Sequence, residues 1–158
     1  MNRTRPILLA TDGSPSACEA QHEAFELATL TGAPLVVVSV AHITLPTVGY
    51  SAYGFANVVT ELRQAEHERL GALLASVTEA AANEGIDCTT VEADGVIVDE
   101  ISRIAEEHRA QIVVVGSHGW GPARRLLSGS VSTGLVHSAP CPVLVVRATK
   151  SAAQRMAA

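Results

Sequence analysis

Glycine and serine residues in the second half of the chain have a spacing that suits phosphate binding. Gly116 and Gly119 follow the apolar run 113–115, and Gly129 is followed directly by Ser130, which gives the pattern G-x2-G-x9-G-S. Glycine lets main-chain N–H groups approach an anion closely, and the unpaired N–H groups at a helix start add positive potential. The pattern predicts a strand, a phosphate-binding loop and then a helix.

Polar side chains accompany this loop. Ser130 and Ser132 can donate hydroxyl protons to phosphate oxygens, and Val131 between them offers its main-chain N–H. Asp12 follows an apolar run near the N-terminus. Its carboxylate is a second candidate contact for a ligand, although it could instead help to cap the helix that follows.

Two common nucleotide motifs do not fit the loop. A Walker A loop needs Lys and Ser/Thr where this chain has Pro122 and Ala123, and a dinucleotide fingerprint needs glycine where it has Arg124. A plain strand-to-helix turn is the simpler alternative, but such a turn needs fewer glycines than this spaced set.

Short apolar runs alternate with helical periodicities along the chain. Five runs predict strands, of which the third is weaker and indicates an edge strand: 7–10, 35–40, 88–93, 112–115 and 143–146. Four helices are predicted between them, at 14–32, along a long segment ending near Gly85, around 98–105 and at 130–137. The long segment has an apolar stripe that only Glu66 interrupts, formed by Val59, Leu62, Leu70, Leu73, Val77 and Ala81.

Strict alternation of strand and helix predicts an α/β fold: a three-layer open sandwich with a five-stranded parallel sheet and four helices. Ligands bind such sheets beyond the carboxyl ends of the strands, where the direction of winding reverses. Asp12 and Gly116 each follow a strand, so they would face one crevice if those strands are neighbours.

Length and composition restrict the class of protein. The 158 residues, with 47% hydrophobic and 17% charged, predict one domain over 1–158, with a core at about 5–148 and a tail at 149–158. The net charge of −5 argues against a nucleic-acid partner. Three widely spaced cysteines fit a reducing compartment, and no apolar run reaches roughly 18 residues, so we expect a cytoplasmic protein without a membrane partner.

Three segments together resemble the universal stress protein family, in particular its ATP-binding subclass: 7–14, 116–132 and 138–146. The resemblance implies a Rossmann-like sheet of order 3-2-1-4-5, similar to that of the adenine nucleotide alpha hydrolases. It also implies a homodimer formed through the last strand, residues 143–147. ATP, with Mg, is the implied cofactor.

The resemblance also implies a set of nucleotide contacts. Asp12 would face the ribose and the metal of Mg-ATP, Ala10 and Thr11 would line the base, and the main chain of Val40 would meet the adenine edge. Six residues would surround the ribose and phosphates: Gly116, Gly119, Gly129, Ser130, Val131 and Ser132. Val115 and His118 are two further predicted contacts.

Other residues have less specific interpretations. The six histidines lack close ligand spacing, so a histidine metal site is not expected. Arg124 and Arg125 fit a solvated face better than a phosphate clamp. The segment 42–57 is predicted to be an irregular connection, either a lid beside the base or a solvent loop.

The leading hypothesis is an ATP-binding regulatory module of the stress response, whose state an unidentified protein partner reads. No catalytic residue is predicted, because phosphoryl transfer needs a positioned base and a charge clamp. The alternatives are a weak ATPase, a chaperone-like scaffold dimer with a degenerate nucleotide site and, last, a flavin-binding electron carrier.

Overall fold

A computed structural model describes residues 4–42, 52–117 and 130–148, with side chains from Asn57 onward in the second range. Within these ranges, strands and helices alternate in the order β1 Ile7–Ala10, α1 Pro15–Thr31, β2 Leu35–Ala41, α2 Ala52–Asn83, β3 Cys88–Asp94, α3 Ile97–Glu107, β4 Ile112–Gly116, α4 Ser130–Ser138 and β5 Val143–Val146. All five predicted strands are present within one residue of the predicted bounds.

The strands form one parallel sheet of order β3-β2-β1-β4-β5, which confirms the expected topology. β1 lies at the centre and pairs with β2 on one side and β4 on the other, so that Ala10 is opposite both Val38 and Val115. The chain winds from β1 towards β3 in one direction and from β4 to β5 in the other. The point where winding reverses therefore lies between β1 and β4.

Helices cover both faces of the sheet, because successive strand residues point to opposite sides. Leu9 and Val37 pack on one side against α1 and α2, whereas Leu8 and Val38 pack on the other side with residues of α3 and α4. The four residues of β1 are all buried. These two cores fix the carboxyl ends of the central strands in relation to the starts of the helices that follow.

The caps of α1 match the sequence. Ser14 is the N-cap and accepts a hydrogen bond from the Ala17 N–H at 3.3 Å, while Pro15 opens the first turn. Gly32 closes the helix in the left-handed conformation at φ 64°.

α2 differs from the prediction in two ways. It begins at Ala52, so the last six residues of the segment predicted to be irregular, 52–57, are helical, and residues 43–51 lie outside the described ranges. Leu62 of the predicted stripe is 42% exposed, whereas Leu70 is fully buried. A 32-residue helix is about 48 Å long and a seven-residue strand only about 23 Å, so α2 extends well beyond the sheet.

Candidate nucleotide site

A cavity of about 90 Å³ lies at the carboxyl ends of β1, β2 and β4, beside the point where the sheet reverses its winding. Its wall is mostly apolar. The polar lining residues come from the turn after β1: Thr11, Asp12 and Ser14. A mostly apolar cavity with a few polar groups is typical of small-molecule sites.

The expectation that Asp12 and Gly116 share one crevice is met, since β1 and β4 are neighbours. Seven of the predicted contact residues line the cavity: Ala10, Thr11, Asp12, Val40, Val115, Gly116 and Val131. Ser130 and Ser132 lie in the first turn of α4, where Ser130 is exposed and Ser132 is buried. His118, Gly119 and Gly129, together with Arg124 and Arg125, lie outside the described residues.

Five further residues line the cavity without having been predicted as contacts: Ser14, Ala17, Val38, Ile97 and Ile101. Three of them could have been found from the sequence. Val38 is two residues before Val40 in β2 and so shares its face of the sheet. Ile97 and Ile101 are one helical turn apart at the start of α3 and bring that helix over the cavity.

The turn after β1 is held by local hydrogen bonds. Asp12 Oδ1 accepts from the Ser14 N–H at 2.9 Å, and Thr11 Oγ1 accepts from the Gly13 N–H at 3.3 Å. Gly13 has φ 76°, which favours glycine. Asp12 therefore supports the start of α1 without being its cap, since Ser14 has that place.

Gly116 has a packing role that the motif did not indicate. A Cβ atom at this position would lie 2.7 Å from the Ser16 carbonyl carbon and 2.8 Å from the Ala17 N atom. Gly116 is not among the described glycines with positive φ. Its lack of a side chain lets the first turn of α1 lie directly against the end of β4, at the cavity.

A charged side chain from α2 also reaches this turn. Arg69 Nη1 donates to the Asp12 carbonyl oxygen at 3.2 Å, and Nε and Nη2 donate to the two carboxylate oxygens of Glu66 at 2.9 and 2.8 Å. The hydrogen bond with Glu66, and to a smaller extent the nearby Asp12 carboxylate, raises the pKa of Arg69. The same hydrogen bond lowers the pKa of Glu66.

A larger depression, of about 880 Å³, lies at the opposite edge of the sheet, among the segments that precede the strands. It is lined by Arg5, Asp87 and Arg109 among others. None of the predicted contact residues lies there. We therefore place the candidate site in the smaller cavity. The predicted contact residues line it, and it lies where the sheet reverses its winding.

Comparison with known proteins decides the family. Residues 3–147 match the Universal stress protein family. The chain belongs to this family. A universal stress protein of Methanocaldococcus jannaschii is 32% identical over 149 residues, covering 94% of this chain and 85% of that protein. One of Bacillus subtilis is 31% identical over 144 residues, covering 89% and 97%.

Solved structures of universal stress proteins have the same fold. UspA from Lactobacillus plantarum superposes with a TM-score of 0.78 at 26% identity, covering 93% of this chain and 100% of UspA. A universal stress protein in complex with cAMP has a TM-score of 0.68 at 24% identity, covering 94% and 100%. One from Arabidopsis thaliana with AMP bound has 0.67 at 20%, covering 92% and 93%. The last two share the fold at low identity.

Proposed function

We propose that this universal stress protein binds an adenine nucleotide, ATP with Mg, in the cavity at the carboxyl ends of β1, β2 and β4. The observation that carries the proposal is the arrangement of that cavity. Its wall is apolar, Asp12 lies at its rim, and α1 and α4 both begin beside it. Helix starts favour anions, and apolar walls favour a flat ring system.

The volume of the cavity suits only part of a nucleotide. About 90 Å³ is less than the roughly 300–1,000 Å³ of typical small-molecule pockets, so the cavity suits the base rather than the whole nucleotide. Ribose and phosphates would then lie along the rim, towards Asp12 and the Gly129-Ser130-Val131-Ser132 turn. Solved family members with cAMP and AMP support an adenine ligand for this fold.

The Asp12 carboxylate fits the proposed metal. Mg²⁺ prefers oxygen ligands and is usually held by one or two carboxylates together with phosphate oxygens and water. Asp12 would supply the protein oxygen. Bound Mg²⁺ would offset the charge of the phosphates next to this carboxylate.

A regulatory role suits the lining better than turnover. The described residues around the cavity offer Asp12 as their acidic side chain and no histidine or lysine that could act as a base. We therefore propose that nucleotide occupancy changes the surface of a cytoplasmic stress-response module, and that a protein partner reads this change.

The proposed homodimer would form through β5. This strand lies at one edge of the sheet, and Val145 is 37% exposed. An exposed edge of β-formers needs a cover, and pairing across a two-fold axis would give a continuous ten-stranded sheet. Val145→Pro should give monomer or aggregate in sedimentation at micromolar concentration, whereas Val145→Thr, which keeps the N–H donor, should not. A monomeric native protein would exclude this dimer.

Nucleotide binding is tested on the purified protein. Mass spectrometry should detect adenine nucleotide released on denaturation, and calorimetry should show Mg-ATP binding. Asp12→Ala should weaken binding by about 1–3 kcal/mol, because a charge-assisted hydrogen bond or metal contact is lost. Gly129→Val should abolish binding by blocking close approach of the main chain.

The control is Asp87→Ala, which removes a carboxylate at the opposite edge of the sheet. This variant should bind Mg-ATP like the wild type. Equal weakening by Asp87→Ala and Asp12→Ala would contradict the placement. Phosphate release above that of the Gly129→Val protein would favour the weak ATPase instead.

A further inference from the structure

The contact between α2 and the turn after β1 is made by a polar and an apolar side chain one helical turn apart. Arg69 donates to the Asp12 carbonyl oxygen, and Leu73 lies 3.4 Å from the position that a Cβ atom of Gly13 would occupy. The residues joined by the hydrogen bond are 57 positions apart in the sequence. α2 thus supports the same turn that carries Asp12 to the rim of the cavity.

Glu66 explains how the guanidinium is held. It occupies the interrupting position of the apolar stripe, its side chain is 25% exposed, and it binds Arg69 through both carboxylate oxygens. A bidentate pair fixes the plane of the guanidinium. The remaining Nη1 donor is therefore aimed at the main chain of Asp12 without further ordering of the side chain.

The Asp12 carboxylate depends on this main chain. Its Oδ1 atom accepts from the Ser14 N–H two residues later, so its orientation follows that of the peptides between Asp12 and Ser14. Ser39 holds the preceding peptide by donating to the Thr11 carbonyl oxygen at 2.7 Å. Arg69 holds the next carbonyl oxygen along the chain.

We infer that Arg69 is a positioning residue of the nucleotide site, which fixes the Asp12 turn from outside and so sets the place of the Asp12 carboxylate. The inference rests on the proposed nucleotide site. Arg69 does not line the cavity and acts through Asp12. The nearby Asp12 carboxylate also contributes to the raised pKa of Arg69, although less than the hydrogen bond with Glu66.

A double-mutant cycle tests this role. In calorimetry, Arg69→Gln should weaken Mg-ATP binding about fourfold, the effect of losing one hydrogen bond from a partly exposed charged group. In an Asp12→Ala background the same change should weaken binding less than about twofold, because the group that Arg69 positions is gone. A general loss of stability would give equal effects in both backgrounds and would overturn the inference.

A matched control exists on α3. Arg103 also binds a glutamate three residues earlier through Nε and Nη2, but its Nη1 donates to Glu107 of the same helix. Arg103→Gln should leave Mg-ATP affinity unchanged. An equal loss in Arg69→Gln and Arg103→Gln would also overturn the inference.

A readout without nucleotide separates this inference from the proposed function. Amide hydrogen exchange at Ser14, measured by NMR on the intact chain, should become faster in Arg69→Gln and stay unchanged in Arg103→Gln. Unchanged exchange in Arg69→Gln would contradict the role of Arg69 whether or not nucleotide binds. Failure of the wild-type protein to bind Mg-ATP would instead contradict the proposed function.

Discussion

Two arginines of this protein form nearly the same ion pair on different helices. Arg69 on α2 and Arg103 on α3 each bind a glutamate three residues earlier, and the side chains have similar exposure, 46% and 25% for Arg69 and Glu66 against 49% and 23% for Arg103 and Glu100. The partner of the third donor, Nη1, differs between the two arginines. Arg103 uses it within α3, whereas Arg69 uses it on the turn at the candidate site.

The histidines repeat this contrast. His22 pairs with Glu26 one turn later on α1, while His67 of α2 bonds to Glu92 and lies 3.6 Å from Asp94, both at the end of β3. α2 is long enough to pass the carboxyl edge of the sheet, so its middle turns contact the turn after β1 and the end of β3 there. An exposed ion pair can therefore also contact another element where its helix crosses the carboxyl edge of the sheet.

The largest expected effect comes from distorting the turn after β1, which α2 supports. Gly13→Val should lower the free energy of unfolding by about 3 kcal/mol, because valine is strained at φ 76° and its Cβ atom would already be in van der Waals contact with Leu73 at 3.4 Å, before its two methyl groups are placed. Gly32→Val has comparable strain at φ 64° but nothing within 4 Å, and should lose only about 1–2 kcal/mol. Urea denaturation measures both. Equal losses would mean that contact with Leu73 is unimportant.

The two arginines themselves should differ in stability. Arg69→Gln should lower the free energy of unfolding by roughly 0.5–1 kcal/mol, since it loses one hydrogen bond to another element in a partly exposed position. Arg103→Gln should change it within experimental error, because exposed pairs within one helix contribute little. Thermal and urea unfolding of both variants measure these losses. Equal losses would contradict the difference between the two arginines.

A smaller effect concerns acid. The hydrogen bond with Arg69 lowers the folded-state pKa of Glu66 below its ordinary value. Glu66 therefore contributes to stability at pH values above its ordinary pKa, and this contribution is lost as the pH falls through the lowered pKa. Arg69→Gln should raise the pKa of Glu66, as followed by NMR titration, and should make unfolding less sensitive to acid. Arg103→Gln should leave the pKa of Glu66 unchanged.

The smallest effect should come from His67. Hydrogen bonding to Glu92 raises its folded-state pKa, so its contribution to stability is complete below the ordinary value of about 6.5 and is lost as pH rises through the raised value. His67→Gln should therefore destabilise the protein more at about pH 5.5 than at about pH 8.5. His22→Gln, on a single helix, is the comparison. A loss that is equal at both pH values would contradict the link between β3 and α2.

Much of the fold could be predicted because its signals are local. Continuous β-branched runs mark strands such as β4 and β5 within one residue, and Ser14 with Pro15 marks the start of α1. The length of α2 was underestimated, since residues 52–57 lack a clear apolar period. The exposure of Leu62 could not be foreseen either, because it depends on how far the helix extends past the sheet.

The candidate site was predicted in part for the same reason. Asp12 and Gly116 stand out by residue type and position, and the family resemblance joined them to one sheet edge. Gly116 was interpreted only as a ligand-approach position, although its contact with Ser16 and Ala17 also requires glycine. Arg69 gave no motif, because what matters about it is which distant residue it contacts.

By itself, the sequence determined the alternation of strands and helices, the parallel sheet and the motif residues at strand ends, since these follow from local periodicity and from steric preferences of the backbone. Only the tertiary structure decided that β1 and β4 bring Asp12 and Gly116 to one cavity, and that Arg69 rather than Arg103 reaches the turn that carries Asp12. Both arginines have a glutamate three residues earlier, and this spacing fixes the pair on a helix. What lies beyond the pair depends on how the helix packs, and no local pattern encodes that.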